Sequence, residues 1–387
     1  MDITNLPEEL RIIVSEREKS LDKIRGCLIG GACGDALGYP VEFKQYDEIL
    51  EQYGSSGITS YAKDPASGLA LFSDDTQMSL FTANGILYGQ TRAALSGISS
   101  QPRYYVYLAY LDWLETQRGT DHEERICWLS EVEDLWNCRA PGATCLDALS
   151  SGEQGSTEHR INHSKGCGGV MRIAPVGIGL RDQDDRVADV EGAEIAALTH
   201  SHSLGFMPAA FLTHVIKHLV STEGEPDLLA IVNDASDMIR TLFPQRKHLG
   251  VFMDLIEKAI LLSTNDRSDI ENISLIGSGW CGDEALAISL YCALKYKNDF
   301  SAAITAAVNH SGDSDSTGSL TGNIVGAIVG YEAIDVKWKE DLELKDVILE
   351  IADDLCYGCL MDDHREYTDE IWLDKYVRSI RRKLYGI

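Results

Sequence analysis

Apolar residues along this 387-residue chain recur mostly at three- and four-residue intervals, and alternation of period two is scarce. The spacing predicts helices over 203–220 (SLGFMPAAFLTHVIKHLV), 283–296 (DEALAISLYCALKY) and 320–334 (LTGNIVGAIVGYEAI). Further helical stretches fall near 76–89, 103–117, 186–199, 251–263, 343–356 and 370–384. No linker rich in proline, glycine or serine and no low-complexity tract separates them. An all-α single domain is the expectation, spanning 25–387. Residues 1–24 differ in character, being polar and amphipathic, and read as an N-terminal extension: a lid, a contact with a target, or a disordered tail.

Glycine placement adds architecture to this pattern. Gly26, Gly30, Gly34 and Gly38 repeat every four residues, and Gly322, Gly326 and Gly330 repeat the interval near the other end. On a helix that interval makes a ridge without side chains, along which a second helix can approach closely. Each interior glycine costs about 1 kcal/mol of helix propensity against alanine. Two such ridges predict a tight central helix pair that brings 35–42 to 313–317.

Composition narrows the functional classes. With 44% hydrophobic residues the chain can bury a sizeable core. No run of about 18 apolar residues stands out, so no membrane span is expected. The first twenty residues lack the basic start and apolar stretch of a secretory signal, and a cytoplasmic monomer is expected. Ten cysteines in so long a chain are no disulfide framework. Cys27, Cys33, Cys281 and Cys292 sit in alanine-rich apolar contexts, and Cys356 with Cys359 is a lone CxxC without a second pair. The formal charge of −27, from 61 acidic and 34 basic residues, disfavours non-specific binding to nucleic acid or anionic membranes. Any phosphate-bearing ligand would need local positive potential.

Two segments concentrate carboxylates among hydroxyls: Phe72-Ser73-Asp74-Asp75-Thr76 and His310-Ser311-Gly312-Asp313-Ser314-Asp315-Ser316-Thr317-Gly318. Neighbouring carboxylates repel, and burying them uncompensated costs several kcal/mol. A shared hard cation removes that conflict, since Mg²⁺, Mn²⁺ and Ca²⁺ favour oxygen ligands. An EF-hand reading of the second segment fails, because position twelve, counted from Asp313, is Ile324 rather than a bidentate Glu. Helix capping is the plainer reading: Ser73 or Asp74 at a helix from Thr76, and Asp315 or Ser316 at one from Ser319. Capping and ligation are compatible.

At this point the residues resemble the ADP-ribosylglycohydrolases, which include the dinitrogenase reductase-activating glycohydrolases and ADP-ribosylarginine hydrolases. Six stretches occur in the family's order: GCLIGGACGDALGYPVEF (26–43), FSDDTQMSL (72–80), SKGCGGVMRIAPVG (164–177), ALTHSHSLGF (197–206), GWCGDEALAISLYCAL (279–294) and NHSGDSDSTGSLTGNIVGA (309–327). The resemblance implies an orthogonal all-α helical bundle with two Mg²⁺ or Mn²⁺ ions in a central cleft. It assigns Ser73, Asp74 and Asp75 to one ligand cluster and Asp313, Asp315 and Ser316 to the other. It makes Glu42 a substrate-side carboxylate, which with Asp75 and Asp315 would carry the chemistry. The glycine-rich stretch Gly166, Cys167, Gly168 and Gly169 corresponds to the substrate-binding loop, whose backbone N–H groups can approach phosphate oxygens. His200 matches a histidine near the diphosphate.

The implied activity is removal of ADP-ribose from a modified protein, from arginine first, with serine or another acceptor as alternatives. A non-catalytic, crystallin-like member is the reading from another class, and a two-metal phosphohydrolase the third. One departure stands out. Some members carry an acidic residue before a Gly-Asn-Thr turn, proposed to help open the ribose. The corresponding stretch here, Arg139-Ala140-Pro141-Gly142-Ala143-Thr144, has none.

Overall fold

The computed structural model describes residues 6–97, 100–120, 125–361 and 367–378. Among them no β-strand occurs; Ala70 with Leu342 and Gly166 with Cys281 form isolated bridges. The fold is all-α, as the periodicity implies. In order the α-helices are α1 (Glu8–Glu18), α2 (Leu21–Gly38), α3 (Tyr46–Tyr53), α4 (Asp74–Ser96), α5 (Pro102–Arg118) and α6 (Ala143–Ser151). They continue with α7 (Ala174–Gly179), α8 (Asp185–Ala197), α9 (Ser203–Ser221), α10 (Leu228–Leu242), α11 (Leu249–Leu262) and α12 (Asp269–Ile276). The last are α13 (Gly282–Lys295), α14 (Phe300–Val308), α15 (Ser314–Val329), α16 (Val336–Lys339), α17 (Lys345–Tyr357) and α18 (Glu370–Leu373).

The centre is the antiparallel pair α2 and α15. A Cβ built on Gly34 would lie 1.9 Å from Gly318 O, one on Gly30 2.3 Å from Gly322 O, and one on Gly26 2.3 Å from Gly326 O. Any side chain there would overlap backbone, so only glycine permits this approach. The expected pair therefore forms, with one correction. The second ridge runs through Gly318, Gly322 and Gly326, whereas Gly330 lies beyond the helix as its C-cap at φ 80°. Gly38 meets the backbone of Ser314, and the register brings the end of α2 onto the start of α15.

Helix α9 is apolar nearly all round, and almost all of it is buried. It is long and apolar enough to cross a membrane by length and composition, but α7, α8, α10, α13 and α15 pack around it. A helix hydrophobic on every face is a core helix when other helices surround it. On the outside, α17 lies across α2, α4 and α7. Arg25 on α2 forms a two-pronged pair with Asp353 on α17, at 2.6 and 2.7 Å.

The expected boundary at residue 24 falls inside α2, which runs unbroken from Leu21 to Gly38. Ahead of it, α1 packs on α17 through buried Leu10 and Val14, and Arg17 donates to Tyr357 O. Residues 1–5 lie outside the described residues, as does the end of the helix expected over 370–384 beyond residue 378.

Candidate metal centre and substrate cleft

The start of α4 is built by residues distant in sequence. Ser73 is its N-cap, its hydroxyl accepting from Asp75 N at 3.2 Å. Asp35, on α2 and fully buried, accepts from Ser73 N at 2.9 Å, Thr76 N at 3.0 Å and the Thr76 hydroxyl at 2.5 Å. These bonds satisfy amides that a helix start leaves open, and they orient Asp74 and Asp75. Asp74 in turn accepts from Gly142 N at 3.2 Å and donates its own N–H to Arg139 O at 3.0 Å.

The start of α15 is built on the same plan. Asp313 is its N-cap and accepts weakly from Ser316 N at 3.4 Å; Asp315 accepts from the same amide at 2.9 Å. This corrects the expected cap, which was Asp315 or Ser316 ahead of a helix from Ser319. The polar run 314–319 is helical, and its hydroxyls are turned to the interior rather than to solvent. Thr317 donates to backbone oxygens of Ala307 and Asp313 at 2.8 Å, and His310 Nε2 lies 3.0 Å from its hydroxyl.

Asp74, Asp75, Asp313, Asp315, Ser316 and Glu42 all line one cleft of about 330 Å³. One ligand atom of each of Glu42, Asp313 and Asp315 lies within 4.8 Å of the others. Glu42 Oε2, Asp75 Oδ2 and Asp313 Oδ2 are buried and accept no hydrogen bond from the described residues. Ser73 does not reach the cleft wall; it is fully buried beneath, its hydroxyl facing Asp315. A larger groove of about 910 Å³ between α4, α5 and α8 contains none of these carboxylates.

Electrostatically this is a concentration of negative charge out of water. Burial first, then mutual repulsion, holds Asp74, Asp75 and Asp313 well above the usual carboxylate range. Asp315 is raised by burial alone, which its hydrogen-bonding neighbours oppose. Asp35 is pushed up to about 7 by burial and by Asp315. Glu42 is pushed up to about 10 by burial and then by Asp315, Asp313 and Asp74. Oxygen donors that repel one another and lack hydrogen-bond partners fit a hard divalent cation. The fit holds for the oxygen set only. The Cys167 thiol lies against Asp313 and Asp75, and burial followed by those charges pushes it far up, so it stays a thiol rather than a thiolate ligand.

The facing wall is the loop around Gly166–Gly168 with His200 behind it. Cys167 N donates to Trp280 O and Gly282 N to Lys165 O, which tie this loop to the start of α13. A Cβ on Gly168 would come within 2.9 Å of the His200 ring and one on Gly166 within 3.3 Å, so these glycines let the imidazole lie on the loop. Gly169, expected in the same wall, lies beneath it against Gly205 O. His200 is lowered to about 3 by burial and then by Arg172, so it is neutral and can bind an anion only as a hydrogen-bond donor. The stretch Ala140–Thr144 lines the cleft without a carboxylate, and Ala140 holds a left-handed φ of 52° there.

Sequence reasoning passed over Asp35, Arg172 and the aromatic pair at the mouth. Asp35 sits in the quoted GDALG stretch, where a single acid on a glycine-rich helix gave no cluster to notice. Arg172 is fully buried, stacked on Tyr110 and donating to the Thr199 hydroxyl at 2.6 Å, which is itself 2.9 Å from His200 Nδ1. Phe43 and Trp280 stack at 5.6 Å and 20° between planes, yet are 72% and 41% exposed. Two large aromatics left this open beside a cleft are unusual unless something lies against them.

A sequence model described as ADP-ribosylglycohydrolase matches residues 16–365. ADP-ribosylhydrolase ARH3 of Mus musculus is 23% identical over 362 residues, which cover 84% of this chain and 88% of that protein. ADP-ribosylarginine hydrolase Tri1 of Serratia proteamaculans is 25% identical, covering 91% of this chain and 83% of its own length. The ADP-ribosyl-[dinitrogen reductase] glycohydrolase of Rhodospirillum rubrum is 25% identical, covering 84% and 91%. A solved structure titled ADP-ribosylglycohydrolase-related protein complex superposes with a TM-score of 0.60 at 19% identity, over 88% of this chain and 98% of that one, and supports the same fold.

Proposed function

We propose that this chain, which belongs to the ADP-ribosylglycohydrolase family, removes ADP-ribose from modified arginine side chains of a protein substrate. The observation that carries the reading is the set of buried carboxylate oxygens without hydrogen-bond partners, on Glu42, Asp75 and Asp313, facing a glycine loop across one cleft. A second phosphate-binding cation, the Lys or Arg expected of many phosphate sites, is not needed if cations and loop amides share the load. Asp74, Asp75, Asp313, Asp315 and Ser316 are the proposed ligands of two divalent cations, Mg²⁺ or Mn²⁺. When bound, these supply positive charge and Lewis acidity at the ribose hydroxyls.

The chain's own residues do the rest. Ser73 and Asp35 hold the start of α4 so that Asp74 and Asp75 face inward. Gly166 and Gly168 seat the His200 ring against the loop, and neutral His200 offers the diphosphate a hydrogen bond without adding charge. Glu42, which lines the cleft, is the proposed group that gives a proton to the departing guanidine nitrogen and takes one from the incoming water. Cations on Asp313 and Asp315 offset part of the repulsion that raises Glu42; its burial still favours the protonated form. Without an acid in Ala140–Thr144, a ring-opening route through a carboxylate at that position is closed to this chain.

Arginine as acceptor rests on the printed activity of the Serratia relative and on charge, since a cationic guanidine adduct is drawn to an acidic cleft on a chain of net charge −27. The test is incubation with ADP-ribosyl-arginine and ADP-ribosyl-serine peptides, with and without Mg²⁺ or Mn²⁺. Metal-dependent release of ADP-ribose from the arginine peptide is expected. Release of inorganic phosphate instead would indicate a phosphohydrolase, and no turnover of either peptide with metal bound would indicate a binding member.

A further inference from the structure

A second group of ligating side chains meets away from the cleft, where α8, α9 and α10 pack. Asp185 is the first residue of α8, and Asp234 lies on α10. His214 and His218 stand four residues apart on α9, so both rings occupy one face and stack at 4.4 Å. One ligand atom of each of Asp185, His214 and His218 lies within 4.8 Å of the others. His218 Nε2 is 3.2 Å from Asp185 Oδ1, and His214 Nε2 is 3.2 Å from Asp234 Oδ2. Adjacent donors about 2.0 Å from a tetrahedral zinc ion are separated by about 3.3 Å.

What distinguishes this group from a surface ion-pair cluster is the carboxylate behind it. Asp189, fully buried, lies 2.8 Å from His214 Nδ1 through one oxygen, and its other oxygen accepts no hydrogen bond from the described residues. A buried carboxylate on Nδ1 fixes the proton there and aims Nε2 outward, towards Asp234. Burial lowers His214, but Asp189, Asp185 and Asp234 together hold it above its ordinary value, so without a cation Nε2 carries a proton towards Asp234, and a metal ion there would take that proton's place. Imidazole donors select borderline transition metals over Mg²⁺, which favours the oxygen-only set of the cleft.

We propose that Asp185, His214, His218 and Asp234 form a second cation site, for Zn²⁺ or a similar transition metal, with Asp189 as the residue that orients His214. The site clamps the open end of the α8–α9 hairpin, whose closed end carries His200 into the cleft. Lys217, 2.7 Å from Asp185 Oδ1, shares that carboxylate and moderates the affinity. The site is structural; no step of the hydrolysis runs through it.

The test uses the full chain, stripped with chelator and held in excess Mg²⁺ so that the oxygen ligands of the cleft are occupied. Titration with Zn²⁺ should show one equivalent that Mg²⁺ does not displace, and Co²⁺ at the same site should give the intense visible band of a four-coordinate nitrogen–oxygen site. His218→Ala and Asp234→Asn, both at partly exposed positions, should each weaken Zn²⁺ binding at least tenfold and remove the Zn²⁺-dependent rise in Tm. Zn²⁺ uptake unchanged in both variants, or no equivalent in the wild-type chain under excess Mg²⁺, overturns the proposal and leaves an ion-pair network only.

Discussion

A single carboxylate, Asp35, shows how the site is held at the scale of one residue. It touches no cleft surface, yet it accepts three hydrogen bonds at the start of α4. Asp35→Ala leaves buried donors unpaired and should destabilise the fold by about 2–4 kcal/mol, measured by denaturant unfolding, with weaker Mn²⁺ binding beside it. Asp35→Asn, which keeps an acceptor, should recover part of both. At the same scale the clustered acids give a pH dependence whose sign can be worked out. Asp35 is raised to about 7 in the folded chain, so the metal-free fold holds a proton that the unfolded chain has lost. Such a group contributes stability at low pH that is lost as pH climbs from the ordinary carboxylate range towards 7. The ligand aspartates are raised too and must shed their protons to hold a cation, so binding strengthens as pH rises. The gain in Tm on adding Mg²⁺ or Mn²⁺ should therefore be larger at pH 8 than at pH 5; an equal gain at both would argue against cations at these carboxylates.

Among the helices, the close contact of α2 with α15 brings the two acidic segments together. Gly34→Ala or Gly322→Ala places a methyl group within 2 Å of the facing backbone, and each should cost at least ~2 kcal/mol and loosen cation binding. Gly250→Ala on α11, where nothing lies within 4 Å, should instead stabilise by ~0.5 kcal/mol. Comparison of the three by thermal unfolding separates close approach from helix propensity. These helices also show what the sequence made legible. The four-residue glycine interval and the apolar period marked the pair and located α9 and α13 to within a residue of their bounds. The start of α15 is misplaced because DSDSTGS reads as polar loop, when Asp313 caps the helix, Asp315 and Ser316 face the cleft, and Ser314, Thr317 and Ser319 are buried. Asp35 was hidden for a related reason: the amides it binds lie at 73 and 76, and no local pattern joins them to it. The cleft acids were legible as clusters, but which of them face the cleft follows from the α2–α15 register.

For the whole molecule, charge and shape converge on one mouth. Phe43 and Trp280 line the cleft with exposed faces, and under the proposed function the adenine base of the ADP-ribose lies against them. Stacking of a base on an aromatic side chain is worth ~1–3 kcal/mol. Trp280→Ala should therefore raise KM for an ADP-ribosylated peptide by about tenfold while leaving kcat within about twofold, as expected for a group that binds ground and transition states alike. In the proposed function, four aspartates from two distant segments hold the cations by which ADP-ribose is released. The most direct measurement is release of ADP-ribose from an ADP-ribosyl-arginine peptide by wild-type and Asp315→Ala chains across a Mg²⁺ or Mn²⁺ titration, with circular dichroism of both. Metal-dependent release by the wild type and none above background by a folded Asp315→Ala chain is the expected result. Undiminished release by that variant, or release by the wild type that persists in chelator, would contradict it.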